Sequence, residues 1–250
     1  MNGDSVRHSD QGETGGEAPA RNRDVWLIVP CFNEGTVIED VLASARETFP
    51  NIVAVDDGSV DDSAASIHRA GGHLVRHPVN LGQGAGIQSG VEYARAQPGA
   101  RYFVTFDADG QHQVKDVLAM VRRLRNEPLD IVVGTRFGRP RGENDQVPLL
   151  KRIVLRTVVL LSPRTRRLGL TDAHNGLRVF NRRVAEDLNL RMNGMSHASE
   201  FVELMDSHGW RVGEQPVEIL YTEYSMSKGQ SLLNGINILS DGFVGRRLPR

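Results

Sequence analysis

Val104-Thr105-Phe106-Asp107-Ala108-Asp109-Gly110-Gln111-His112 runs from an apolar stretch straight into two carboxylates one residue apart. The apolar part reads as a buried strand. In extended backbone, residues i and i+2 face the same way, so Asp107 and Asp109 are able to converge on one hard cation. Mg²⁺ is usually held by one or two carboxylates together with substrate phosphates. Gly110 removes side-chain bulk where a ligand would approach. The competing reading is an Asp-Gly turn that merely closes a strand, and the surrounding sequence decides between them.

Upstream, Val25–Val29 is a strand stopped by Pro30, and Asn33-Glu34-Gly35-Thr36 opens a helix that runs to about Glu47. Ile52–Val55 is a second strand ending in Asp56-Asp57-Gly58-Ser59. A helix over Ser63–Ala70, a short strand at His73–Arg76, a Gly-rich turn at Asn80–Gly86 and a helix over Ile87–Ala96 follow. Downstream of the Asp pair come a helix over Val114–Asn126 and a strand at Asp130–Gly134. Strands alternating with helices at this spacing predict a mostly parallel α/β sheet. Chemistry in such sheets gathers at the carboxyl ends of the strands. Here those ends carry Asn33 and Glu34, Asp56 and Asp57, Gly82 to Gly86, Asp107 and Asp109, and Arg136. Successive strand ends of that kind mark a site rather than a series of unrelated turns.

With 250 residues and 39% hydrophobic content, the chain can bury a sizeable core as one domain. A formal net charge of −1 argues against a general nucleic-acid binder. One Cys excludes an internal disulfide and fits a reducing, cytoplasmic setting. No apolar run is long enough to span a bilayer, and the N-terminus lacks a hydrophobic signal region. Residues 1–23, polar and Gly-rich, read as a disordered tail ahead of a domain over 24–250.

The second half is more basic. Between Arg136 and Arg183, twelve Lys and Arg residues face only Glu143, Asp145 and Asp172 within the segment, a charge pattern that attracts phosphates or an acidic membrane face. Val147–Ser162 is a basic amphipathic helix, either packed on the domain or lying on anionic lipid. A loop from Leu170 leads into a strand near Phe180, Glu200–His208 is helical, Val217–Tyr221 alternates like an edge strand, and Leu232–Arg246 forms a last helix.

Four segments in order, Val29-Pro30-Cys31-Phe32-Asn33-Glu34, Val55-Asp56-Asp57-Gly58-Ser59, Asn80-Leu81-Gly82-Gln83-Gly84-Ala85 and Asp107–His112, resemble the inverting glycosyltransferases of family 2 with the GT-A fold. Val133-Gly134-Thr135-Arg136, Thr171-Asp172 through Gly176-Leu177-Arg178, and Gly229-Gln230-Ser231 narrow the resemblance to the polyprenyl-phosphate (dolichol-phosphate) sugar synthase branch. The resemblance covers about Val25 to Ser240. It implies a single domain with a Rossmann-like, mostly parallel sheet, a nucleotide-sugar and metal half over 24–135, and an acceptor half with amphipathic helices over 136–250.

It further implies that Pro30, Asn33, Glu34, Asp56, Asp57, Gln83 and Asp107 line the nucleotide sugar, with Asp56 or Asp57 meeting the base. Asp109 and Gln111, with Asp107, would hold Mg²⁺ or Mn²⁺ on the diphosphate, where the cation neutralises charge on the departing nucleoside diphosphate. A polyprenyl phosphate is already an anionic nucleophile and needs no general base. It needs a cationic cradle, for which the resemblance offers Arg136 and Arg178, helped by Lys228 and Ser231. The enzyme would then sit peripherally at the inner face of a membrane, on anionic lipid or a membrane partner protein.

Two positions depart from the family pattern. Gln83 replaces a frequent Lys in the Gly-rich turn, and His174-Asn175-Gly176-Leu177-Arg178 replaces the usual Ser-Gly-Phe-Arg. A sugar or small-molecule hydroxyl acceptor is the alternative, and it would require a base, for which Glu200 and His197 are the candidates. A non-catalytic module that binds nucleotide sugars or membrane is the third reading.

Overall fold

The computed structural model describes residues 22–137, 163–172, 175–194 and 196–220. Its strands are β1 (Val25–Cys31), β2 (Asn51–Asp56), β3 (His73–Arg76), β4 (Tyr102–Thr105), β5 (Ile131–Thr135), β6 (Arg178–Asn181) and β7 (Val212–Pro216). The described helices are α1 (Ile38–Arg46), α2 (Ser63–Arg69), α3 (Gln83–Arg95), α4 (Val114–Asn126), α5 (Pro163–Arg167), α6 (Arg182–Asp187) and α7 (His197–Ser207). All seven strands join one sheet in the order β3-β2-β1-β4-β6-β5-β7.

β1 shows why the sequence chooses this architecture. Val25, Leu27, Val29 and Cys31 pack on one face with Ile38 and Leu42 of α1 and Val117, Met120 and Val121 of α4. Trp26 and Ile28 pack on the other with Ile87 and Val91 of α3. A strand covered on both faces needs an unbroken apolar run, and β1 supplies one up to Pro30. The result is a helix–sheet–helix sandwich whose loops meet at the carboxyl ends of β1, β2, β4 and β5.

β6 enters antiparallel between β4 and β5, while the remaining strand pairs are parallel. This reversal matters for chemistry, because it sets Arg178 opposite Thr105, two residues before Asp107.

Four expectations shift. α3 begins at Gln83, not Ile87, so the Gly-rich segment is mostly the first turn of a helix. Its glycines allow close contact: a Cβ on Gly90 would overlap Ile28 Cγ2. The edge strand lies at Val212–Pro216, ahead of the expected Val217–Tyr221, because Asp130 takes Arg211 N–H at 3.0 Å and starts the β5–β7 register there. α6 was not foreseen, although Asn181 is a regular N-cap whose Oδ1 accepts Val184 N–H at 3.1 Å. Asn22, expected in the tail, is buried and donates Nδ2–H to Thr48 O at 3.1 Å. The expected helices at 147–162 and 232–246 lie outside the described residues, as do Lys228 and Ser231.

Candidate active site

The β1 and β2 ends are tied into one rim. Asn33 adopts φ 54°, a left-handed conformation that Asn tolerates better than most residues. From there its N–H donates to Ser59 Oγ at 2.9 Å, and its Oδ1 accepts Val60 N–H at 3.0 Å. Glu34 N–H donates to Ser63 Oγ at 2.9 Å. Pro30 does not stop β1, which runs on to Cys31; its Cβ lies 3.0 Å from where a Cβ on Gly86 of α3 would stand.

Asp56 and Asp57 are both buried, and both are engaged by the protein. Asp56 Oδ1 accepts Ser59 N–H at 2.9 Å, and its Oδ2 lies 3.1 Å from Arg76 Nε. Asp57 accepts Leu81 N–H at 2.9 Å and Gly82 N–H at 2.7 Å, and meets His77 Nδ1 at 2.7 Å. His77 Nε2 in turn meets Ser89 Oγ at 2.9 Å. The Asp57 carboxylate thus holds the entrance to α3.

That entrance delivers Gln83 to the acidic motif. Gln83 Nε2 donates to Asp107 Oδ1 at 3.1 Å. His112 completes the support of Asp107: its Nδ1 accepts Asp107 N–H at 3.1 Å, and its Nε2 lies 3.4 Å from Asp107 Oδ2. Burial holds His112 below the usual imidazole range, which matches a neutral ring with Nδ1 as acceptor and Nε2–H facing the carboxylate. The Asp-x-Asp-x-x-His spacing is the sequence signal for this role of His112.

Asp107 and Asp109 are half-buried, with Ala108 between them buried in the core; β4 ends at Thr105, and Ala108 and Asp109 lie in a turn rather than in the extended backbone expected from the sequence. Asp109 accepts Gln111 N–H at 3.1 Å. Burial, then the Asp107 carboxylate and Glu34, push its carboxyl up to about 6. Gln111 is 9% exposed, and its backbone carbonyl accepts Leu220 N–H at 3.0 Å. Among the described residues, no three His, Cys, Asp or Glu side chains form a preformed metal cage. Two hard carboxylates in an acidic pocket nonetheless fit a cation that takes its remaining ligands from a diphosphate and water.

The basic side divides into two unlike arginines. Arg136, expected in an acceptor cradle, forms a bidentate pair with Asp172: Nε–Oδ2 2.6 Å and Nη2–Oδ1 2.7 Å, with Asp172 Oδ2 also accepting Arg136 N–H at 3.1 Å. Glu214 of β7 holds that partner by accepting Thr171 and Asp172 N–H. Arg178 is 0% exposed. Its guanidinium lies over the Phe201 ring at 4.5 Å, and Nη1 reaches only Gly176 O at 3.4 Å. Among the described residues, Nε and Nη2 are buried without an acceptor, as is Nδ2 of Asn175. Gly176 brings this segment to the acidic motif, since a Cβ there would stand 2.7 Å from Asp107 Oδ2.

The wider positive field is weaker than its segment suggests. Arg164 pairs with Glu203 and Asp206, Arg167 with Asp206, Arg182 with Glu186 and Arg183 with Asp130. These acids lie outside the basic segment or close behind it, where a count along the segment misses them. The candidate bases are committed as well. Both Glu200 oxygens accept backbone amides of Arg191 and Met192 at 2.9–3.0 Å, and His197 Nδ1 faces Gly194 O at 2.8 Å.

The fold is that of GT-A glycosyltransferases. Glucosyl-3-phosphoglycerate synthase from Mycobacterium tuberculosis, in complex with Mn²⁺ and uridine-diphosphate-glucose, superposes with a TM-score of 0.67 at 17% identity, over 91% of this chain and 80% of that one. An uncharacterized protein of Methanocaldococcus jannaschii is 34% identical over 222 residues, covering 87% of this chain and 90% of its own. The UDP-N-acetylglucosamine–dolichyl-phosphate N-acetylglucosaminyltransferase of Methanococcus voltae is 28% identical over 234 residues, covering 86% and 92%. The dodecaprenyl-phosphate galacturonate synthase of Rhizobium johnstonii is 34% identical over 137 residues, covering 50% of this chain and 39% of that enzyme. The family model described as glycosyl transferase family 2 matches residues 26–188, more than half of the chain. The strand-end carboxylates and the loops that hold them therefore belong to an enzyme: this chain is a member of glycosyltransferase family 2.

Proposed function

We propose that the chain transfers a sugar from a nucleoside-diphosphate sugar to a polyprenyl phosphate, with inversion at the anomeric carbon and with Mg²⁺ or Mn²⁺. The observation that carries the acceptor assignment is Arg178, a buried guanidinium whose Nε and Nη2 find no acceptor among the described residues. A buried cation without an acceptor is costly, and a phosphate oxygen is the partner its planar fork suits. The dolichyl-phosphate and dodecaprenyl-phosphate relatives support the same acceptor class.

In this reading Asp107, Asp109 and Gln111 hold the cation on the donor diphosphate, while Pro30, Asn33, Glu34, Asp56 and Gln83 line the donor. The cation supplies charge neutralisation for the leaving nucleoside diphosphate. Arg178 orients the acceptor phosphate, assisted by the Arg136–Asp172 pair, Lys228 and Ser231. An acceptor phosphate oxygen bonds to the anomeric carbon as the bond from that carbon to the donor phosphate breaks, and the electron pair leaves with the diphosphate. The acceptor oxygen carries no proton to remove, which agrees with the commitment of Glu200 and His197 elsewhere.

Among the described residues no helix is long and apolar enough to cross a membrane. As part of this reading, the enzyme works on its lipid acceptor peripherally at the inner membrane face, against anionic lipid or a membrane partner. Incubation with UDP- and GDP-sugars, Mn²⁺ and a short polyprenyl phosphate should yield a lipid-linked sugar phosphate. Turnover confined to lipid-free hydroxyl acceptors, or none with any donor, would refute the assignment.

A further inference from the structure

Residues 190–194 form a strap between the two halves of the site. Leu190 N–H donates to Gln88 Oε1 of α3 at 2.9 Å. Arg191 and Met192 donate their N–H groups to the Glu200 carboxylate of α7 at 2.9–3.0 Å. Asn193 O accepts Gly84 N–H at 2.7 Å. The fit is tight: a Cβ on Gly84 would overlap Met192 O, and one on Gly82 would overlap Asn193 O. The strap therefore presses on the first turn of α3, whose Gln83 donates to Asp107.

We infer that Glu200 is a positioning residue for the donor site. By holding the strap onto Gly82 and Gly84, it fixes the start of α3 and hence the Gln83–Asp107 contact. Both carboxylate oxygens receive amide hydrogens, and the group is 8% exposed. A side chain with two acceptor oxygens suits the two converging N–H groups of Arg191 and Met192. The next residue on α7, Phe201, underlies Arg178, so one turn of helix supports the donor side through residue 200 and the acceptor side through residue 201.

The inference rests on the donor site proposed above, and the test separates the two. Glu200→Gln keeps the shape but turns an amide NH₂ toward the strap's own N–H groups. In the apo protein it should speed hydrogen exchange at Gly84 N–H, a readout that needs no donor. With Mn²⁺ and whichever of UDP-glucose, UDP-N-acetylglucosamine and GDP-mannose stabilises the wild type, donor Kd and KM should rise about ten- to a hundredfold. The kcat at saturating donor and the acceptor KM should hold. Gly84→Ala, which displaces the same strap from the α3 side, should reproduce this pattern. The effects of the two substitutions should be less than additive in the double variant. Wild-type exchange at Gly84 together with wild-type donor Kd in either folded variant overturns the inference. So does a collapse of kcat at unchanged donor Kd, which is the signature of a general base. A wild type that binds no donor, yet shows the exchange change in Glu200→Gln, leaves the strap in place and refutes the donor assignment instead.

Discussion

The Arg178 guanidinium lies face-on over Phe201, 4.5 Å from the ring centroid, in a position with no solvent exposure. Burial pulls its pKa down to about 10, against the opposing pull of Asp107 and Asp172, so it stays charged at neutral pH. It combines a charge with unmet hydrogen-bonding capacity beside the proposed diphosphate site. Replacing an unsatisfied buried polar group with an apolar side chain of similar size can stabilise a protein. Arg178→Met should therefore raise Tm of the unliganded enzyme, by about 2–4 °C per kcal/mol recovered. The same variant should lose transfer to polyprenyl phosphate by about two orders of magnitude or more, as removal of a positioned charge does. Differential scanning fluorimetry and a lipid-linked product assay read both effects. A lower Tm with retained transfer would show Arg178 to be structural.

Asp109 should behave in the opposite sense to an ordinary surface acid. Its ionised form is disfavoured by burial, Asp107 and Glu34, and in the proposed reading a cation relieves that penalty. Asp109→Asn should match or exceed the wild-type Tm without metal at pH 7. It should lose the added stabilisation that Mn²⁺ with a nucleotide sugar gives the wild type. Equal metal-dependent stabilisation in the two proteins would remove Asp109 from the cation site.

Gly90→Ala tests the packing that seats α3. The added Cβ overlaps Ile28 Cγ2 on β1, both in the core between α3 and the sheet. Overpacking of that kind costs about 1–3 kcal/mol, although Ala is the better helix former. Denaturant unfolding should show the loss at unchanged m-value. A gain in stability would mean that α3 can shift outward freely, which the strap on its first turn argues against.

The legible parts of this protein were those where one residue type has one physical use. The apolar runs of β1, β2 and β4, and the polar residues at their ends, announced a parallel sheet with a site at its carboxyl edge. The resemblance added the family. Asp57 was legible as important but not for its use, because its partners, the amides of Leu81 and Gly82 and the ring of His77, lie twenty or more residues away. The same holds for Arg136 and Arg178. They look alike in sequence, yet Asp172 reaches the first while Nε and Nη2 of the second are buried without an acceptor among the described residues. Charge counted along a segment also missed Asp130, Glu203 and Asp206, which reach the basic region only through the fold. Helix bounds at the Gly-rich segment failed because helix propensity reads glycine as a breaker, whereas here glycine permits close packing against β1 and the strap.

Asp130 gives the pH test. It sits at the start of β5, 1% exposed. It accepts Arg211 Nε–H and Nη2–H at 3.0 Å, Arg211 N–H at 3.0 Å and Asn181 Nδ2–H at 3.0 Å. Hydrogen bonding from the Arg211 guanidinium, against the opposing effect of burial, holds its carboxyl well below the ordinary carboxylate range. A carboxyl whose folded pKa is depressed binds fewer protons in the folded than in the unfolded state between the two values. Its contribution is thus fully present above about pH 4, the ordinary aspartate value, and is lost as pH falls toward the depressed folded one. Asp130→Asn should lower Tm at pH 7, because Arg211 and Arg183 lose their counter-charge. It should also flatten the fall of Tm below pH 4 relative to the wild type. Thermal unfolding from pH 2 to pH 7 measures both, and parallel curves for the two proteins would show that another carboxylate governs acid unfolding.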